Sequence, residues 1–421
     1  MRIRNRKGKS IIACYMVFMI MTVFLAGCAG KDGRVTEPEG VPDGRQEQDE
    51  AGEKGGAENG KGRDYDLPVE EADKKAARED CTRMFELAAE VCPEIRQADA
   101  SELPGEAAEE AVKAMGTSGA PVSGTDVYSG MENSKDMERF LEGCENGESG
   151  EITEYELYSD GRIGRKKFSF DGETMYLLAI SSYWNGDNVV LGDISYSKVR
   201  DWSYTEKGWF FYELCVPEYP EVTEPVYSSA MIRVKPLEKE CAQITEQYLK
   251  TIAYNGNNLF WTDWDEEHME GIDYNGLFEY LYEVRGYGTF DQARYTNGIP
   301  GQEFEELMTS CLPVTREELR EYAAYDSDSG MYEWIDLGVG NRTLGAIVAC
   351  IPEVTAAEKN DDGTMTLTVD AVCESMADDS FLTHCLVIRT DEAGNVRYLC
   401  NKVEEGARKE ALPEYIYRIR R

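Results

Sequence analysis

The chain has 421 residues and is strongly acidic, since 81 aspartates and glutamates outnumber 44 lysines and arginines and give a formal net charge of −37. A surface of that charge repels nucleic acid and anionic lipid head groups, so we predict no nucleic-acid partner. Two histidines, His268 and His384, are too few for a histidine-rich metal site, and the sequence contains no C-x-x-C pair. We therefore predict neither a metal nor a cofactor.

The first 28 residues have the order of a secretory signal, with cations, an apolar core and small residues at the end. Five cations precede the apolar run at 11–24, namely Arg2, Arg4, Arg6, Lys7 and Lys9. The alternative is an uncleaved transmembrane anchor, but a membrane span requires about 20 apolar residues and this run is shorter. We therefore predict that residues 1–27 are a signal peptide.

Residues 25–28, Leu-Ala-Gly-Cys, resemble the lipobox of bacterial lipoproteins. The resemblance implies that Cys28 carries a diacylglyceryl group and that a dedicated peptidase cleaves before it. Two acyl chains make a stable anchor, whereas a single chain binds a membrane only marginally. We expect the chain to be tethered through this lipid to the extracytoplasmic face of the cell membrane.

The lipidated cysteine is followed by a predicted disordered linker, so that 28–66 forms one segment. Glycines alternate there with charged residues, and large apolar side chains are almost absent, so the segment cannot bury enough surface to fold. The rest divides into two predicted domains, 67–216 and 236–421. The connection between them, 217–235, contains Pro217, Pro220 and Pro225.

The domain at 67–216 is predicted to contain helices and then an antiparallel β-meander. Apolar spacing predicts a helix at 68–92 and weaker helices at 105–115 and 134–144. Six segments rich in Tyr, Phe, Ile and Val predict strands at 151–158, 162–170, 174–184, 189–196, 199–204 and 209–216. Glycines between most of them suit tight turns, and short connections make successive strands antiparallel neighbours.

The domain at 236–421 is predicted to be a helical segment followed by a second curved antiparallel sheet. Helices are expected at 237–252, 276–284, 301–311 and 316–324, the last with a capping box formed by Thr315 and Glu318. Strands are expected at 344–354, 364–375, 382–390, 396–403 and 415–419. The fold class is therefore α+β, since strands and helices do not alternate regularly.

Four segments are notable: Ile-Pro-Gly-Gln-Glu-Phe-Glu-Glu-Leu-Met at 299–308, Leu-Pro-Val-Thr at 312–315, Glu-Trp at 333–334 and Thr-Glu-Lys-Gly-Trp-Phe-Phe at 205–211. They resemble segments of an uncharacterised lipoprotein family of Clostridia-type Firmicutes. The resemblance implies a host class and an envelope location. It implies no activity and transfers no catalytic residue.

The stretch 260–268 combines aromatic and acidic residues and contains the candidate ligand-binding residues Trp261, Asp263, Trp264, Asp265 and Glu266. Aromatic platforms beside paired carboxylates occur in glycoside hydrolases. The alternative is a helix start, capped at 262 or 263 and followed by acids that favour the positive end of the helix dipole. No second distant carboxylate can be assigned from sequence, so we predict no catalytic residue.

Four cysteines near the C-terminus are candidates for disulfides. If the hairpins turn near 361–362 and near 392–393, Cys350 lies opposite Cys373 and Cys385 lies opposite Cys400. A slip of one residue would break either pairing, and separate buried thiols are the alternative.

These patterns favour a non-enzymatic module that binds an unidentified protein or envelope ligand. An envelope glycan or peptide hydrolase is the alternative.

Overall fold

The computed structural model describes residues 63–96, 103–124, 126–128 and 130–419. All of them belong to one compact unit, Gly60–Arg421. The predicted signal peptide, Cys28 and almost all of the predicted linker lie outside the described residues. Each helix among the described residues is either too short or too polar to be a membrane span.

Three helices precede the main strands of the first sheet, close to their predicted positions. They are α1 Glu71–Val91, α2 Gly105–Gly116 and α3 Ser134–Glu145. The apolar spacing that predicted α1 is the face that it buries, with Cys81, Met84, Phe85 and Ala88 in the core. Burying this stripe removes apolar surface from water and fixes the helix against the sheet described next.

A seven-stranded sheet follows chain order from β1 to β7, and its neighbours are antiparallel except for the parallel pair β1 and β2. The strands are β1 Val122–Gly124, β2 Gly150–Leu157, β3 Ile163–Phe170, β4 Met175–Asn185, β5 Asn188–Tyr204, β6 Trp209–Leu214 and β7 Ser229–Arg233. The meander is as predicted, but 189–196 and 199–204 form one long strand. Irregularities in its pairing let β5 pair first with β4 and then with β6.

The short strands β1 and β7 were not predicted. β7 lies inside the predicted connection 217–235, because the chain returns from the proline-containing segment to pair with β6. The division into domains at this connection stays a prediction.

The second half begins with four helices around an aromatic core. They are α4 Lys239–Ile244, which continues into a π-helical turn at Thr245–Leu249, α5 Tyr274–Val284, α6 Gly301–Cys311 and α7 Arg316–Tyr322. The predicted capping box of α7 is confirmed, with Thr315 accepting from the backbone of Glu318 and the Glu318 side chain accepting from Thr315. A small sheet, in the order β8 Ile299–Pro300, β10 Met331–Tyr332 and β9 Tyr325–Asp326, joins these helices.

The predicted second antiparallel sheet has four strands in chain order, followed by the short helix α8 Ala407–Glu410. The strands are β11 Ile351–Lys359, β12 Met365–Cys373, β13 Asp378–Thr390 and β14 Val396–Val403. The strand predicted at 415–419 is wrong, because side chains occupy its backbone donors: Ile416 donates to Thr343 and Arg418 donates to Asp273. The start of the strand predicted at 344–354 is instead a 3₁₀ turn at Ala346–Ala349.

The strand register agrees with one of the two predicted cysteine pairings, which stays a prediction. Ile351 pairs with Val372, so Cys350 and Cys373 face each other at the next position, and both sulfur atoms lie near the carbonyl oxygen of Ala346, at 3.3 and 3.8 Å. Their mutual hydrogen bond lowers the pKa of Cys373 to about 6. The ten cysteines of the described residues are free thiols, and the disulfide itself stays a prediction.

The other predicted pairing is wrong. Cys385 pairs with Lys402, and Cys400 pairs with Val387. A register shift between Val387 and Ile388 moves the partner of Cys385 away from Cys400.

The two large sheets meet through β6 and the strands β11 and β12. Trp209 and Phe211 pack with Val372, and the Trp209 indole donates to Glu353 at 3.1 Å. Arg233 lies 3.1 Å from the same carboxylate, and both side chains are buried. The α+β class is thus confirmed, with helices and two antiparallel sheets sharing a buried polar contact.

Candidate functional site

The tryptophans of the predicted 260–268 site are structural. Trp261 and Trp264 are 6% and 3% exposed, and their indoles donate to the carbonyls of Asn257 and Leu259. Residue 264 also pairs with Asn401 through two backbone hydrogen bonds. Neither ring is therefore exposed as a platform, and a ligand-binding role for this stretch stays a prediction. The segment forms turns, so the alternative prediction of a helix start is wrong.

The acids of the same stretch point to different partners. Asp263 accepts from the backbone of Val403 at 2.8 Å and from Lys409 at 2.6 Å, which ties it to β14 and α8. Asp265 pairs with His268 at 2.8 Å; this contact lowers the pKa of Asp265 and raises the pKa of His268. Glu266 is exposed. These residues share a surface turn and do not assemble an acid and a base around a cleft.

A groove elsewhere in the second half is lined by aromatic and acidic side chains. It lies between the C-terminal end of α5, the loop that follows it and α6, and its volume is about 280 Å³. That volume is close to the lower end of the range of small-molecule sites, roughly 300 Å³. Its lining residues are Phe278, Tyr282, Tyr287, Pro300, Gln302, Glu303, Glu306 and Leu307. We call this feature the α5–α6 groove.

The sequence Gly286-Tyr287-Gly288 builds the outer wall of the α5–α6 groove. Gly286 ends α5 at a φ of +71°, and Gly288 has a φ of +96°, a left-handed region that favours glycine. The amides of Gly286 and Tyr287 donate back to the carbonyls of Glu283 and Tyr282, which is a Schellman motif. The motif places the rings of Tyr282 and Tyr287 in contact, with centroids 5.2 Å apart and planes at 76°.

The two tyrosines differ in how firmly they are held. Tyr282 is half-buried and packs edge-to-face against Phe290 at 5.6 Å, with Phe278 at 6.2 Å. Tyr287 is 60% exposed. The groove therefore has one ring fixed by the core and one ring presented to solvent.

The carboxylates of the groove are electrostatically unequal. Glu303 accepts from the hydroxyl of Tyr295 at 2.5 Å and from Arg294 at 3.0 Å. Burial, together with the hydrogen bond to Glu303, raises the pKa of Tyr295. Glu306 is exposed and accepts from the neutral amide of Gln302 at 2.8 Å. Among the described residues Glu306 forms no ion pair, so its negative charge is not compensated locally.

The sequence analysis did not identify the α5–α6 groove, because the groove is formed by packing between two helices. Both helices, 276–284 and 301–311, were predicted, but nothing in their spacing states that they are neighbours. The signal that could have drawn attention is an aromatic residue between two glycines directly after a predicted helix. Among the described residues, no cluster of three or more His, Cys, Asp or Glu side chains could hold a metal.

Comparison with known proteins identifies a family and nothing closer. No curated protein and no solved structure matches the chain. One protein family, described as a family of unknown function, DUF6070, matches residues 70–418, which include every described helix and sheet. The chain therefore belongs to the family of unknown function DUF6070.

Proposed function

We propose that the chain is a membrane-tethered lipoprotein on the extracytoplasmic face, and that its folded part is a non-enzymatic binding module. The tether is supported by the order of residues 1–28 and by the Leu-Ala-Gly-Cys ending at Cys28. The family match begins at residue 70, directly after the predicted linker. This arrangement suits a folded module carried at a distance from its anchor.

The α5–α6 groove carries the binding part of the proposal. Tyr287 is exposed, so its ring gains less free energy from burial than a ring in the core does, yet a defined turn holds it in place. Ligand sites are typically concave, lined by aromatic side chains and fitted with a few polar groups, and the groove has all three properties.

The alternative, an envelope glycan or peptide hydrolase, was predicted from residues that do not share a cleft. Hydrolysis needs an acid and a base, or an activated nucleophile, at a defined separation around the substrate. Trp261 and Trp264 are buried, and Asp263 is engaged by Lys409. We therefore propose binding without turnover.

The anchor is tested by substituting Cys28→Ala. We expect the precursor to remain uncleaved between Gly27 and Cys28 and to incorporate no lipid, as measured by intact mass and by metabolic lipid labelling. A wild-type mature protein that begins elsewhere and carries no lipid mass would contradict the anchor.

The binding function is tested by co-sedimentation of the full chain with isolated cell walls. We expect Tyr287→Ala to weaken wall binding about fivefold or more, since an aromatic contact contributes about 1 kcal/mol beyond its buried area. Tyr219→Ala is the control, because Tyr219 is 86% exposed and lies outside the groove. Equal binding by wild type and Tyr287→Ala would refute the groove as the site. Release of soluble wall fragments that is lost in Glu306→Gln would instead indicate a hydrolase.

A further inference from the structure

We infer that the α5–α6 groove binds an organic ammonium cation, held against Tyr282 and Tyr287 with Glu306 as its counter-ion. The inference rests on the proposed binding function and names the chemical class of its ligand. Three independent properties of the groove lead to it: the arrangement of its rings, the sign of its charges and the field of the whole chain.

The rings form a corner that suits a compact cation. Their planes meet at 76° with centroids 5.2 Å apart, so a group in the angle between the planes lies against the face of each ring. The face of an aromatic ring is electron-rich, and sites for quaternary ammonium groups are commonly built from such rings. Tyr282 is braced by Phe278 and Phe290, so the inner wall is already in position before a ligand arrives.

The charges of the groove select for a cation. Its lining contains two carboxylates, Glu303 and Glu306, and no lysine or arginine. Arg294 offsets Glu303 at 2.9 Å, whereas Glu306 has only the neutral partner Gln302 among the described residues. An anionic ligand would meet an uncompensated carboxylate without a basic partner, and an ammonium group would supply the missing positive charge.

The net charge of the whole chain also favours a cationic ligand. With 81 acidic and 44 basic residues, its field attracts cations and repels anions. A neutral sugar could stack on Tyr287 equally well, but it would gain nothing from the charge of Glu306. Dependence on that charge therefore separates the two ligand classes.

The test compares choline with its uncharged isostere 3,3-dimethyl-1-butanol, which has the same shape. The full chain is purified in a detergent without an ammonium group, and binding is measured by saturation-transfer NMR and calorimetry at low and high salt. We expect saturable binding of choline that weakens with salt, and binding of the isostere that is about tenfold weaker or undetectable. Glu306→Gln and Tyr287→Ala should each weaken choline binding several-fold, and Glu317→Gln, an exposed residue on α7, should not.

The possible outcomes distinguish the ammonium assignment from the binding function on which it rests. Equal binding of choline and the isostere, or choline binding that is unchanged in Glu306→Gln, overturns the ammonium assignment. If choline does not bind but wall binding still depends on Tyr287, the ligand class is wrong and the binding function stands. If neither choline nor wall material depends on Tyr287, both the ligand class and the groove are refuted.

Discussion

Lowering the pH should destabilise the fold through His384, a neutral imidazole in the core. The residue lies on β13 without exposed surface, and its ring stacks on Phe260 with centroids 5.5 Å apart. The amide of Asn401 donates to two backbone carbonyls, so its oxygen faces Nδ1 of His384 at 2.6 Å and accepts the proton there. Nε2 is then the acceptor for the hydroxyl of Tyr254 at 3.1 Å.

The magnitude follows from the difference between the folded and unfolded pKa values. Burial lowers the pKa of His384 to about 4, against about 6.5 in an unfolded chain. Between these values the unfolded state binds a proton that the folded state does not, so the free energy of unfolding falls as the pH falls. The contribution of neutral His384 to the free energy of unfolding is complete above pH 6.5 and is smaller by about 2 kcal/mol at pH 5. Below pH 4 the loss reaches about 3.4 kcal/mol.

The assay is urea unfolding of the full chain at pH 7.5, 6.0 and 5.0, followed by tryptophan fluorescence. We expect the wild type to lose about 2 kcal/mol more than His384→Gln between pH 7.5 and 5.0, because the variant has no imidazole to protonate. His268→Gln is the matched control, since the chain has two histidines and His268 is exposed. The raised pKa of His268 acts with the opposite sign, so the decline of this variant should be at least as steep as that of the wild type. Equal pH slopes for wild type and His384→Gln would refute the reasoning.

Three further predictions concern the second half and its contact with the first sheet. Arg233→Met should lower the free energy of unfolding by about 3 kcal/mol at pH 7, because it leaves the buried Glu353 carboxylate without its cationic partner. The loss should be smaller at pH 5, since protonation removes the charge of Glu353, and an unchanged urea midpoint at pH 7 would contradict this prediction. Thr315→Ala should cost about 1 kcal/mol through loss of the helix cap, and Thr315→Ser should restore most of it; equal stability of wild type and the alanine variant would argue against the cap. Oxidised glutathione, which takes up two electrons and two protons, should link Cys350 to Cys373 and raise the free energy of unfolding by about 3 kcal/mol. Peptide mapping that finds both thiols free after oxidation would refute the pairing.

The sequence predicted those parts of the fold that depend on local periodicity and turn chemistry. The helix at 68–92 was recognised from apolar spacing, and the meander was recognised from glycines between strands. Each hairpin contains a one-residue register shift: beyond the shift between Val354 and Ala356, Cys350 lies opposite Cys373, whereas beyond the shift between Val387 and Ile388, Cys385 lies opposite Lys402. Pairing between strands is specified by such single-residue irregularities, which leave little trace in composition.

The candidate site was less predictable, because burial is decided by tertiary packing. Trp261 and Trp264 lie among acids, as platform residues do, but both are buried in the core of the second half, and Asn401 of β14 pairs with the backbone of Trp264. Tyr287 was assigned no role, although the glycines on both sides of it mark a turn that presents its ring. Whether an aromatic residue in a turn is exposed can be predicted only when the helix that packs beside the turn is known.

The central claim, that the α5–α6 groove meets a ligand of the cell envelope, is tested most directly by oxidative footprinting. The full chain is exposed to hydroxyl radicals alone and when bound to isolated cell walls, and modification of individual tyrosines is measured by mass spectrometry. We expect wall binding to protect Tyr287, which is 60% exposed in the free chain, while Tyr219 outside the groove remains as reactive as before. Equal modification of Tyr287 with and without walls, under conditions where the chain is fully bound, would contradict the account.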